Sequence, residues 1–496
     1  MKTEIQPYGA ALRSVMQERG LSMSALQERL HLPSRTTVTR IVKDACKYST
    51  MLEFHNNLYR TRAELPFTKA DYQRLEEALE VSRYGWHRYL AVKRMDYLFT
   101  GDKSYYRADN SRCANSSGAA DNDGKSLTEV LQSVLSWPDI RVVVVNAMFD
   151  FVTQALQTML RAAAARPNCR VVVEHYVLTE KNDDKNLYNF TALYPLLSEP
   201  NYTCYVSTKS IATYTTGNYM DEFYATENYI MLLKSNGIGF SSDRINLYSR
   251  TDFSGIFNTT GMTLYQYEMM HFRKLRQHYS PFAASITERS DPKDLLTLCA
   301  LFEETERAWQ SILIKPDLCI SQIEPEILTD MLKDAQYLGL APDDPAVQTL
   351  IDLQVKRYSY FTSPRHHNIT IISRQGLNRL VETGRWTDQP AALRALRRDE
   401  LKRTLKQLVH LAETISGFCI YLMRDELNLS DCYFKVCGEN ALWAGRQGPG
   451  ENTLRLIQRA DIVRLFRDYV VGELVPNLTY SGAETLEYLK RVIAGL

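Results

Sequence analysis

Ser34, Arg35, Thr36, Thr37, Thr39, Arg40 and Lys43 crowd into one short stretch, SRTTVTRIVK. Hydroxyls both donate and accept hydrogen bonds, a guanidinium offers a rigid fork of donors, and an ammonium is a compact point charge. Such a set suits phosphate oxygens and the donor and acceptor edges of bases. Within the same stretch Val38, Ile41 and Val42 recur at helical spacing. A helix would hide those three and leave the polar and basic residues outward.

The elements that must hold this face lie just upstream. Ser22 is an N-cap candidate for a short amphipathic helix whose apolar stripe is Ala25, Leu26, Leu30 and Leu32. After His31-Leu32-Pro33 the chain restarts at Ser34, a second cap candidate. A further helix from Ala10 to Arg19 precedes the Gly20-Leu21-Ser22 junction. The segment GLSMSALQERLHLPSRTTVTRIVK resembles the DNA-binding domain of Cro/repressor-type bacterial regulators, over about the first sixty residues. The resemblance implies that the first helix of the pair braces on the backbone while the second enters the major groove of double-stranded DNA, as part of a homodimer. It departs from the family at Gln27, where a small Ala is usual, at His31, where Gly is usual, and in a turn one residue longer. A plain helical bundle making protein contacts is the alternative.

Charge points the same way. Residues 1–100 hold 16 Lys and Arg against 11 Asp and Glu, whereas the whole chain is only +1. That excess fits salt-sensitive phosphate contacts strengthened by dimerisation. With 496 residues, 45% of them hydrophobic and 24% charged, the chain can build several cores and does not have a disordered composition. Met1 to Ala10 has no apolar leader run, and runs such as Val142 to Val145 are too short to cross a bilayer, so a cytoplasmic protein without membrane partners is expected. The nine cysteines include no CxxC; the closest pair, Cys432 and Cys437, falls in a strand candidate, so neither a zinc site nor a disulfide framework is expected.

Polar clusters between Thr100 and Ser126, among them Asn115-Ser116-Ser117-Gly118 and Asp121-Asn122-Asp123-Gly124, mark a linker. Before it, Thr68 caps a helix from Lys69 to about Val81, and Tyr84 to Leu98 forms another, with Trp86, Tyr89 and Tyr97 available for packing. Beyond it, Ile140 to Val145, a helix from Phe149 to Ala165 and Arg170 to Val177 read as a βαβ unit. A hairpin from Tyr229 to Ser241 turning at Asn236-Gly237, then a helix from Thr263 to His278, complete a first series. The second comprises strands Ile312 to Ile314 and Ile369 to Ile372, a helix from Ala391 to Ser416, a strand from Phe418 to Met423, a hairpin at Gly438-Glu439-Asn440, the strand Leu454 to Ile457 and the helix Ala460 to Leu474.

The last of these pieces, Tyr433 to Arg446 and Leu454 to Leu474, resemble the phospholipase-D-like scaffold. Enzymes of that family present a His, a Lys two residues on and an Asp soon after, a set for phosphodiester chemistry through a His nucleophile. None of the nine histidines here has Lys two positions later, and Lys435 lies alone on its strand. Adjacent His366 and His367 would point to opposite faces of a strand and so do not make one metal site. GxxxxGK[ST], GxGxxG, HExxH and GxSxG are absent, which removes common phosphate, dinucleotide, metalloprotease and hydrolase readings. Gly445-Arg446-Gln447-Gly448-Pro449-Gly450 reads as a connection. Leu401, Leu405, Leu408, Ala412 and Ile415 form the apolar stripe of a basic amphipathic helix, expected to pack on the sheet with its charges solvated, the alternative being a partner or dimer surface.

The expectation is a multidomain α and α/β chain: a helical DNA-binding domain over 1–99, a polar linker over 100–126, and a large mixed α/β region whose halves, 127–300 and 301–496, resemble each other. Its function would be sequence-specific transcriptional regulation through Ser34, Arg35, Thr36, Thr37, Thr39, Arg40 and Lys43. No catalytic residue, cofactor or metal is assigned. The α/β region would sense a small-molecule or protein effector or set the oligomeric state; no feature of the sequence places that pocket. The alternatives are a phosphodiester- or nucleotide-acting enzyme with a helical targeting domain, and an interaction scaffold without DNA.

Overall fold

The computed structural model describes residues 6–32, 34–100, 139–145, 150–166, 168–179, 183–197, 199–207, 229–234, 245–248, 279–287, 292–334, 343–390, 393–424, 432–446 and 453–496, with the single positions 135, 277, 341 and 429. The chain is multidomain, α followed by α/β, and divides into two compact units, Met1–Arg94 and Met95–Leu496. The linker expected over 100–126 lies, but for Thr100, outside the described residues.

The first unit is all helix: α1 (Tyr8–Glu18), α2 (Met23–Arg29), α3 (Arg35–Val42), α4 (Tyr48–Arg60) and α5 (Lys69–Tyr84). Each apolar stripe turns inward, so that Leu12, Val15, Leu26, Val38, Ile41 and Leu58 share one core. The caps follow the sequence. Ser22 Oγ accepts from Ala25 N at 3.1 Å, Ser34 Oγ from Thr36 N at 3.1 Å, and Thr68 and Asp71 form a reciprocal capping box on α5. α1 crosses α3 at Gly9, where a Cβ would lie 2.1 Å from Ile41 O; only a bare Cα permits that approach. A further helix, α6 (Trp86–Thr100), contains the dividing point between the units.

The second unit is built on two mixed sheets. The first contains β1 (Asp139–Val145), β2 (Arg170–Leu178), β3 (Tyr202–Ser207), β4 (Tyr229–Lys234), β5 (Ile245–Tyr248) and β6 (Ser280–Pro281), in the order β5-β4-β1-β2-β3-β6. The expected βαβ unit is present: α7 (Asp150–Ala164) connects β1 to its parallel partner β2, Asp139 opposite Arg170. α8 (Asp183–Leu197) leads from β2 to β3, again parallel. β4 has an antiparallel partner in β5. The turn at 236–237, the return strand at 238–241 and all of the helix expected over 263–278 except Gln277 lie outside the described residues.

The second sheet comprises β7 (Ala284–Thr287), β8 (Gln310–Ile314), β9 (His367–Ile372), β10 (Phe418–Leu422), β11 (Cys432–Cys437), β12 (Ala441–Arg446) and β13 (Thr453–Ile457), ordered β10-β9-β8-β11-β12-β13-β7. β8, β9 and β10 run parallel, and β11 to β13 form an antiparallel meander turning at Gly438, whose φ is +61. The two sheets share an order: the runs β3-β2-β1-β4-β5 and β10-β9-β8-β11-β12 place the third, second, first, fourth and fifth strands alike. They differ in the fourth strand, parallel to the first in one sheet and antiparallel in the other. β7, from within 127–300, pairs with β13 in the second sheet.

The second sheet's helices are α9 (Pro292–Glu306), α10 (Pro325–Asp334), α11 (Pro345–Thr362), α12 (Arg374–Thr383), α13 (Arg398–Thr414), α14 (Ala460–Tyr469) and, after a π turn and a four-residue helix, α15 (Gly482–Gly495). α13 begins at Arg398, not at Ala391. Glu400 accepts from Arg397 N at 2.8 Å and from the Arg394 guanidinium at 2.8 and 2.9 Å, which holds the preceding residues out of the helix. Its stripe is core: Leu401, Leu405 and Leu408 are buried. α14 passes into a π turn over Val470–Leu474 and a last helical turn over Val475–Leu478, so the chain is helical through the expected end at Leu474.

Candidate functional site

In the first unit the helix pair α2–α3 carries the predicted face. Val38, Ile41 and Val42 are buried, while Arg35, Thr36, Arg40 and Lys43 are exposed and Ser34, Thr37 and Thr39 are half-buried. One turn of helix therefore separates a sealed apolar side from a polar one. The turn between the helices holds His31 at φ +51, a left-handed conformation that a non-glycine residue adopts at a cost. Gln27 lies across it, its side-chain amide donating to Leu32 O at 3.2 Å. The departures at His31 and Gln27 thus both act on the turn, one strained and one bracing it. At the far end of α3, the Arg13 guanidinium donates to Val42 O at 2.7 Å, meeting the negative end of the helix dipole. Asp44 follows, its carboxylate occupied by Gly9 N at 2.7 Å.

Two of the seven predicted contact residues already have tasks. The Ser34 hydroxyl oxygen caps α3, and the Thr39 hydroxyl donates to Arg35 O at 3.1 Å. The side chains of Arg35, Thr36, Thr37, Arg40 and Lys43 have no hydrogen bond or ion pair among the described residues. They form a free patch with three cationic groups and two hydroxyls.

The second unit holds a constellation that local spacing in the sequence does not disclose. Lys435, on the central strand β11, is buried and ion-paired to Glu306 at the end of α9. The same carboxylate receives two hydrogen bonds from Arg357 of α11, at 2.7 and 2.9 Å. Burial alone would raise the Glu306 carboxyl, but the two cations outweigh it and hold the group down at about 2. Both cations stay charged, their values raised by Glu306 against the pull of desolvation. One turn earlier on α9, Glu303 is taken up by Arg307 at 2.8 Å and by the Tyr360 hydroxyl at 2.7 Å.

A second buried group sits beyond β8. Lys315 pairs with Asp388 and lies 3.7 Å from Asp317, which in turn meets Arg379 at 3.2 Å. Arg357 and Asp388 both line a cavity between α9, α10, α11 and β11, with Leu332, Leu350, Trp386 and Tyr433 among its other walls. Its empty space, counting solvent at the mouth, is about 930 Å³. The one sequence signal for this cluster was a lysine inside an otherwise apolar strand, CYFKVC, flanked on both sides by other strands.

No family model and no curated relative matches the chain. Among solved structures, phosphatidylserine synthase from Haemophilus influenzae Rd KW20 is similar over 74% of this chain and 90% of that one, at 10% identity and a TM-score of 0.26. A likeness that distant carries no inference about activity. Among the described residues no helix is long and apolar enough to cross a membrane.

Proposed function

We propose that the protein is a sequence-specific DNA-binding transcriptional regulator, acting in the cytoplasm as a homodimer and without catalysis of its own. The observation that supports this reading is the free patch on α3 and its C-cap, with Arg35, Thr36, Thr37, Arg40 and Lys43 unpaired among the described residues and the opposite side of the helix sealed in the core. Side chains at the start of a capped helix reach base edges and phosphates when that helix enters the major groove. Arg35 and Arg40 supply charged contacts, Thr36 and Thr37 supply short polar ones, and Lys43 tracks phosphate. Residues 95–496 sense an effector or set the spacing of two such heads.

The test is a mobility shift on duplexes selected by the full-length protein from a random pool, titrated against salt. The double variant Arg35→Ala/Arg40→Ala is expected to lose on the order of a hundred-fold in affinity and to show a shallower salt dependence. Undiminished binding removes α3 from the contact surface and defeats the proposal.

A further inference from the structure

DNA contact by α3 makes no use of the cavity in the second unit. Its walls are mostly apolar, with a few polar groups converging on one space. Two independent features say what those groups lack. Trp386 is only 2% exposed, yet its indole N–H has no acceptor among the described residues, a buried donor left unmet. The Tyr433 hydroxyl, also on the wall, has no hydrogen-bond partner among the described residues.

The second feature is charge. Glu306 is shared by two buried cations, Arg357 and Lys435, so this closed group is left with one positive charge in excess. The neighbours do not cancel it. Glu303 is matched by Arg307, and Lys315 with Arg379 balances Asp317 with Asp388. A lone buried positive charge calls for one anionic group.

We propose that this cavity binds an organic monocarboxylate with an apolar body. The carboxylate lies beside Arg357 and accepts from the Trp386 N–H and the Tyr433 hydroxyl, and the hydrocarbon packs on Leu332, Leu350 and Phe302. A single negative charge neutralises the excess, whereas a dianion overshoots it and a neutral molecule leaves it standing. This inference does not rest on the DNA-binding reading.

Calorimetric titration of the full chain, without DNA, tests it with four probes: dodecanoate below its micelle concentration, naphthalene-2-carboxylate, dodecanol and dodecylammonium. At least one carboxylate is expected to bind at a single site, with dodecanol about ten-fold weaker than dodecanoate when that is the binder, and with no heat from the ammonium. Trp386→Phe is expected to weaken the binding carboxylate about five-fold at an unchanged unfolding midpoint, and Leu332→Trp, which fills the cavity, to abolish it. Failure of both carboxylates to bind, equal affinity for dodecanol and dodecanoate, or full binding by Trp386→Phe overturns the assignment. Each of these results leaves the DNA-binding reading standing, since no DNA is present.

Discussion

The shared carboxylate of Glu306 makes an asymmetric prediction. Glu306→Gln leaves Arg357 and Lys435 buried side by side with no counter-charge, while Lys435→Met leaves a neutral, bidentate Glu306–Arg357 pair at 2.7 and 2.9 Å. Two estimates of the first cost agree. Breaking a buried pair by removing one partner costs about 3–5 kcal/mol. Holding a carboxyl with an ordinary value of 4.5 down at about 2 is worth about 3 kcal/mol of folding free energy at neutral pH. Because the folded value lies below the unfolded one, that contribution is complete above about pH 4.5 and is lost as the pH falls toward 2. Lys435→Met removes the surplus charge and replaces it with an apolar chain of similar length, so its cost is expected to stay under about 1 kcal/mol. The assay is urea unfolding of the full chain, read by hydrogen exchange in peptides covering β9 and β11 so that the signal belongs to the second sheet. Equal costs for the two variants, or less than about 1 kcal/mol for Glu306→Gln, would refute the charge count and with it the electrostatic half of the cavity's assignment.

At the turn between α2 and α3, His31 is exposed at φ +51, so substitution there changes backbone strain and little packing. His31→Gly should leave the thermal midpoint equal or higher and His31→Val should lower stability by about 1–2 kcal/mol; the reverse order would mean the turn is not strained as drawn. His175, fully buried against the Tyr202 hydroxyl at 2.9 Å, is pushed by desolvation to about 3 and so stays neutral when folded. The unfolded chain takes up that proton near pH 6.5, so stability falls between there and pH 3, by about 2 kcal/mol from pH 7 to pH 5. His175→Asn should remove this part of the pH dependence in urea melts; an unchanged slope would assign it to other groups.

What the sequence disclosed follows from how local each cause is. The inward and outward sides of α3 could be read because a period of 3.6 acts on adjacent residues, and Val38, Ile41 and Val42 obey it. The β1–α7–β2 unit was legible from its length and its β-branched strands. The start of α13 was not, since helical propensity near Ala391 was overruled by Arg394 folding back onto Glu400, an interaction between side chains. Least legible was the second unit's charged group, whose members come from α9, α11 and β11 and meet only through sheet topology. Lys435 had read as a solitary residue for that reason; the structure gives it a buried partner 129 positions away.

On the proposed reading, the free patch also explains why one head is not enough. Arg35 and Arg40 of α3 and Lys43 at its C-cap have no ion-pair partner among the described residues, so one head releases about three counterions, a salt slope near −3. Nonspecific binding of that strength is weak at physiological salt, and a helix of this length reads only a few base pairs. Two heads spaced by one helical turn, roughly 34 Å, double the slope and the sequence read. Affinity then depends steeply on whether both heads engage together, so any ligand that alters their spacing through residues 95–496 changes occupancy without touching a DNA contact. A measured slope near −3 for the intact protein on its selected site would mean a single engaged head, and would take from the large α/β region the role of setting that distance.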